Sequence, residues 1–211
     1  TGTRVNEDYL IEDVPYNLYN RSEDFSHGGY SKFQASIADT TIQSPISSSF
    51  VQSISSTVSS SSTFSFINQN LSNPDGQVMT TFSVYAKKGT YNRLGFSNRS
   101  NNTFGVIYDL DSGTVVNENN GTGQILASSI QSAGNGFYLC SVTLEKSNQY
   151  NIHPVPSDVS SASQLRGNSM NYSTLGNILI FGAQAVKGSK LKPYLKTTDR
   201  LDIPRIDYTN G

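Results

Sequence analysis

The chain reads as an all-β protein, a two-sheet β-sandwich of jelly-roll type with extended terminal connectors. Three observations predict this. Apolar and polar residues alternate with a two-residue period in segment after segment. Turn signals separate those segments, at Asn73-Pro74-Asp75-Gly76, Lys88-Gly89, Asn120-Gly121 and Asn135-Gly136. No stretch sustains a helical period with capping signals over three turns. Many short strands without helices bury their apolar faces best by stacking as two sheets.

In chain order, residues 1–16 read as an N-terminal connector, 17–198 as the sandwich and 199–211 as a C-terminal connector. Within Ser47–Thr63, twelve of the seventeen residues are Ser or Thr. Ile46, Phe50, Ile54 and Val58 are spaced by four, but the hydroxyl residues disfavour a helix interior. An even spacing also keeps one face of a strand, so this segment reads as strand plus polar loop. In Thr81–Lys87, Phe82, Val84 and Ala86 share one face while Ser83 and Tyr85 share the other. Phe104–Leu110 places Val106, Tyr108 and Leu110 together and turns at Asp111-Ser112-Gly113. Phe137–Glu145 aligns Tyr138, Cys140, Val142 and Leu144. Ile178–Val186 is apolar on both faces over its first half, as a central strand covered on both sides would be. The tail, Lys190–Gly211, runs out of that last strand.

A length of 211 residues suits one sandwich around a single core, and 12 Tyr with 10 Phe supply the apolar area. The formal charge of −1 and the lack of a basic cluster argue against a nucleic-acid partner. A single cysteine, Cys140, allows no internal disulfide, and zinc-type CxxC spacing is absent. No run approaches the ~18 apolar residues of a membrane span. No signal-peptide h-region is present either.

Six segments stand together in a recognisable order: Tyr16–Ser26 (YNLYNRSEDFS), Thr81–Thr90 (TFSVYAKKGT), Tyr108–Val116 (YDLDSGTVV), Gly134–Val142 (GNGFYLCSV), Ile178–Gln184 (ILIFGAQ) and Lys192–Thr198 (KPYLKTT). Through them the chain resembles the jelly-roll modules of bacteriophage virion proteins. Such modules occur in tail fibres, head fibres and decorations, and are described as carbohydrate-binding-module-like or concanavalin A-like. The resemblance implies a β-sandwich on the virion surface, with other virion proteins as partners and a homo-oligomer, expected to be a trimer. It implies a structural and assembly role, with adhesion to host-surface glycans, and an extended Leu201–Gly211 that leans on a neighbouring subunit or module. A dedicated carbohydrate-binding receptor-recognition module is the alternative, and a glycan hydrolase the remote one. The family often has Trp where Phe137 and Phe181 stand, and this chain has no Trp.

Glycosidase chemistry needs two facing carboxylates, one with a raised pKa. Asp109, Asp111, Glu118 and Glu145 are the candidates, and each reads as a surface or turn carboxylate. His27 and His153 both sit beside loop residues, no Gly-x-Ser-x-Gly elbow occurs, and Cys140 reads as a packed small hydrophobe. The chain is therefore expected not to be an enzyme. Glu23 and Asp24, with Asp199 or Asp202, offer oxygen ligands of the kind calcium takes. Ser22-Glu23-Asp24 reads more readily as a solvated turn, so no cofactor is assigned.

Sugar binding on a sandwich needs aromatic faces for the ring, with amides and guanidinium groups for its hydroxyls. Tyr91, Asn92 and Arg93 lie before a short strand and Asn98, Arg99 and Asn101 after it. Tyr85, on the polar face of its strand, completes the candidate set. The competing reading is that Asn and Ser simply fill loops while Tyr85 packs against a neighbouring subunit.

Overall fold

A computed structural model describes residues 3–5, 11–13, 16–61, 63–71, 79–98, 104–121, 124–145, 149–165 and 170–198. Two short strands, β1 (Thr3–Val5) and β2 (Ile11–Asp13), pair antiparallel with each other within the predicted N-terminal connector. The body follows as β3 (Ser31–Phe33), β4 (Ala35–Gln43), β5 (Phe50–Ser56), β6 (Phe66–Asn70), β7 (Thr80–Lys88) and β8 (Arg93–Ser97). Then come β9 (Gly105–Asp109), β10 (Thr114–Asn119), β11 (Ile125–Gly134), β12 (Phe137–Leu144), β13 (Gln149–Val155) and β14 (Asn177–Lys187). A 3-10 turn, Ala162–Leu165, is the one helical element among the described residues.

The strands form two six-stranded antiparallel sheets, ordered β10-β9-β8-β13-β6-β3 and β11-β12-β7-β14-β5-β4. The chain crosses repeatedly from one sheet to the other, so neighbours such as β7 and β12, or β5 and β14, are far apart in sequence. This is the wrapped connectivity of a jelly roll, as the alternation predicts. No helix among the described residues is long and apolar enough to cross a membrane.

Period-two alternation decides what each sheet buries. Phe82, Val84 and Ala86 of β7, beside Cys140, Val142 and Leu144 of β12 on the same sheet, share the core between the sheets with Val106 and Tyr108 of β9 on the other. Rings lock this layer: Phe82 stacks on Tyr150 at 4.7 Å and meets Phe96 edge-on at 4.6 Å. Burial of each such side chain contributes about 1.5–3 kcal/mol.

β14 is the central strand expected from its two apolar faces. Ile178 and Ile180 point into the main core, while Leu179 and Phe181 join Val51, Tyr85 and Phe137 in a second cluster on the outer face of their sheet. The Ser-rich segment is strand β5 followed by loop, with Ile54 in the core. Asn135 (φ 52°) and Gly136 (φ 75°) close the β11–β12 hairpin; positive φ at both central residues matches the strand twist.

One expectation is corrected here. His153 lies not beside a loop but inside β13, fully covered. Pro154 suggested a loop, yet the pairing of β13 with β6 ends at Ile152. Beyond it β13 has only β8 as a ladder neighbour, and a strand free on one side tolerates a residue without an N–H.

The two ends of the body meet. Asn17–Ser22 runs beside the second half of β14, with Leu18 N donating to Ala185 O at 2.8 Å and Ala183 N to Ser22 O at 2.9 Å. Residues 190–198 return onto the body as a strap. Leu195 N donates to Gln184 Oε1 at 2.7 Å, and Arg21 N to Thr198 O at 2.9 Å. Leu201–Gly211, expected to be extended, lies outside the described residues.

Candidate functional site

The β7–β8 turn builds the site. Gly89 approaches the start of β14 so closely that a Cβ would stand 2.6 Å from Asn177 O, which only glycine permits. Thr90 N and Oγ1 donate to Asn177 Oδ1 at 3.1 and 3.0 Å, and Asn177 N donates to Thr90 Oγ1 at 2.8 Å. Tyr91 N donates to Asn177 O at 3.0 Å, and its hydroxyl donates to Thr174 O. Gly176 lies against the Tyr91 ring where no side chain would fit. Asn177 then reaches across to β5, donating from Nδ2 to Ser53 Oγ at 2.7 Å.

Above this anchored turn opens a cleft of about 500 Å³. Its walls are Ser36 of β4, Ser55–Thr57 at the end of β5, Thr90, and Leu175 and Gly176 ahead of β14 with Asn177, its first residue. Strand register creates it: Ser36 pairs with Ser55, and Ser55 with Asn177, in one row across three strands. Leu175 stands 61% exposed at the rim. Among the described residues, no Asp, Glu, Lys, Arg or His lines the cleft.

The structure separates the residues singled out from the sequence. Tyr91 supports the cleft from below, and its buried ring pushes the phenol pKa up to about 12. Asn92 and Arg93 turn instead toward the β9–β10 turn. Asn92 Nδ2 donates to Asp111 Oδ2 at 3.2 Å, and Arg93 Nη1 to Val159 O at 2.9 Å. Arg93 Nε stands 3.6 Å from Asp109 Oδ2. Asn98 is 7% exposed, at the far end of β8. Tyr85 faces outward from β7, but Tyr194 of the strap covers it edge-on at 6.3 Å. The chain's own tail thus packs where a neighbouring subunit was the competing expectation. Arg99 and Asn101 lie outside the described residues.

The carboxylates serve local structure. Burial alone would raise the Asp109 pKa, but N–H donors from Ser112 and Asp111 outweigh it and hold the carboxyl below its ordinary value. Asp111 is held low by its ion pair with Lys88 and then by Asn92. Glu118 accepts from Ser128 Oγ. The described part of the calcium expectation is also occupied: Glu23 accepts from Lys196 Nζ at 2.6 Å, Ser49 Oγ at 3.1 Å and Tyr194 OH at 3.3 Å. Asp24 accepts from Ser26 Oγ and His27 N, which lower its pKa. Asp199 and Asp202 lie outside the described residues, and among those described no three His, Cys, Asp or Glu residues gather as a metal site.

Sequence reasoning missed the cleft. Ser36, Ser55 and Thr57 are small polar residues in a chain full of them, and only register brings them together. Leu175-Gly176-Asn177 carried the nearest signal, an apolar residue and a glycine stranded just before an apolar strand.

The class is therefore a two-sheet antiparallel β-sandwich with an open, uncharged cleft where β4, β5 and β14 meet. No family model matches the chain, and no curated protein matches it.

Proposed function

We propose that this chain is a non-enzymatic structural module of a bacteriophage particle, a fibre or a capsid or tail decoration, serving assembly and adhesion to host-surface glycans. One observation carries the reading. Five of the six segments behind the family resemblance form one contiguous unit around β14. The entry segment Tyr16–Ser26 docks on β14 through Asn17, whose Nδ2 donates to Ala183 O at 2.9 Å and to Leu195 O at 3.0 Å. Thr81–Thr90 holds all of β7 but its first residue, hydrogen-bonded to β14 on one side and on the other to β12, most of which falls in Gly134–Val142. Lys192–Thr198 is the strap, fixed to Gln184 of β14 itself. The resemblance thus follows a spatial unit and is not scattered over unrelated loops.

Immunogold labelling of purified particles with antibody to this chain tests the assignment. Label on head or tail is the expected result, with the isolated chain running as a trimer in light scattering. Finding the domain on a cell-surface protein of non-viral origin would overturn it. A dedicated receptor-recognition module is the second reading, favoured by the open cleft with its exposed Leu175.

A further inference from the structure

Among the described residues, none that the sequence nominated for ligand contact lines the cleft between β4, β5 and β14. Its wall chemistry is nonetheless specific. The hydroxyls of Ser36, Ser55 and Thr57 have no hydrogen-bond partner among the described residues, whereas Ser56 Oγ is spent on Val58 O at 3.1 Å. Asn177 and Thr90 are committed to each other and shape the floor without being free to move. Leu175 supplies the single large apolar surface, at the rim.

A hydroxyl can donate and accept at once, so uncommitted Ser and Thr side chains match a ligand whose own groups are hydroxyls. An anionic ligand would require a cationic or N–H-rich wall to replace its lost hydration, and a cationic ligand a carboxylate. Among the described residues, the walls offer neither. Nearby lysines are engaged elsewhere: Lys87 Nζ donates to Asn135 O at 2.8 Å and sits 5.3 Å over the Phe137 ring, and Lys88 pairs with Asp111. A volume near 500 Å³ accommodates a unit of one or two sugar rings.

We infer that this cleft is the glycan contact of the module and that it takes an uncharged saccharide unit. Hydroxyls of the ligand bond Ser36, Ser55 and Thr57, and its apolar ring face or a methyl substituent rests on Leu175. The inference rests on the adhesive role proposed above and adds the place and the charge class of the ligand. Selection against sialylated and uronate-containing glycans follows from desolvating a carboxylate against walls without a cation.

The test is a glycan array printed with neutral hexose, N-acetylhexosamine and 6-deoxyhexose oligosaccharides beside sialylated and uronate-containing ones. It is probed with the full chain and with the Leu175→Ala and Thr57→Val variants. Both positions are exposed, so both variants should fold, which circular dichroism checks. Binding confined to neutral glycans, weakened about tenfold or more in each variant, is the expected result. Neutral binding untouched by both variants would overturn the cleft as the site while leaving adhesion standing. Preference for acidic glycans would overturn the charge class. Binding to nothing on the array would overturn the adhesive role together with this inference.

Discussion

Acidification from about pH 7.5 to about pH 5 should destabilise this fold through one side chain, His153. Its imidazole is fully covered, and Nε2 lies 2.7 Å from Ser97 Oγ while Nδ1 lies 2.9 Å from Ser65 O. A neutral ring satisfies both contacts, with Nδ1–H donating to the carbonyl and Nε2 accepting from the hydroxyl. Ser97 Oγ in turn accepts from Asn151 Nδ2, and Asn151 Oδ1 from Asn68 Nδ2. Burial pushes the His153 pKa down to about 3, although the Ser65 carbonyl favours the charged form. In the unfolded chain the ring titrates near its ordinary value of 6.5. Between these values the unfolded state holds the extra proton, so stability is complete above about pH 6.5 and lost as pH falls toward 3. At pH 5, about 1.5 units below the unfolded value, the loss is about 2 kcal/mol, or about 4–8 °C in Tm. The lowered carboxylates Asp24, Asp109 and Asp111 contribute stability above 3.8 and lose it below, so they are silent in this window. Urea denaturation at both pH values, for the parent and His153→Gln, measures the effect. The parent should lose about 2 kcal/mol that the variant, less stable throughout, does not. Equal losses in both, or an imidazole resonance of folded His153 that titrates above pH 5, would refute the reasoning.

Asn17→Ala should cost about 2–4 kcal/mol in urea denaturation, because one buried amide donates to Ala183 O and Leu195 O and accepts from Tyr19 N and Ala185 N. A cost below about 0.5 kcal/mol would show that the termini are not fastened there. Gly182→Ala should cost about 1–2 kcal/mol, since Gly182 holds φ +64° in the β14 bulge and its new Cβ would stand 3.0 Å from the Tyr194 ring. An unchanged denaturation midpoint would contradict it. Cys140, buried with its thiol pKa raised by desolvation, should react with an aromatic disulfide reagent far more slowly in buffer than in urea; equal rates would show the core to be open.

Much of the fold was legible because sandwich strands obey a local rule. The pattern of β7, with Phe82, Val84 and Ala86 inward and Tyr85 outward, is written in adjacent residues, as is the double burial of Ile178–Phe181. Asn135-Gly136 specifies its hairpin from two residues. His153 was misplaced because the penalty for Pro154 depends on where β6 stops, a fact held some eighty residues away in sequence. The site fared worse for a related reason. Tyr91 and Arg93 have the chemistry of sugar contacts, yet one ring covers Gly176 and one guanidinium bonds Val159 O. An aromatic or cationic side chain looks the same in sequence whether tertiary contacts absorb it or leave it free. The cleft arises from the opposite case, in which unremarkable serines become neighbours through strand register alone.

The adjacency of Asn17–Ser22 and the strap sets how the module would carry mechanical load. Tension entering at residue 16 and leaving at residue 198 passes first through the few bonds joining these segments, such as Arg21 N to Thr198 O and Thr197 N to Ser22 Oγ at 2.9 Å. Asn17–Ser22 is also bonded to β14, through Leu18 N to Ala185 O and Ala183 N to Ser22 O, so part of the load reaches that sheet. Under a pull these few contacts would give way before the strand ladders, which join longer runs of residues. Such a joint would act as a shock absorber in series with the stiffer sandwich.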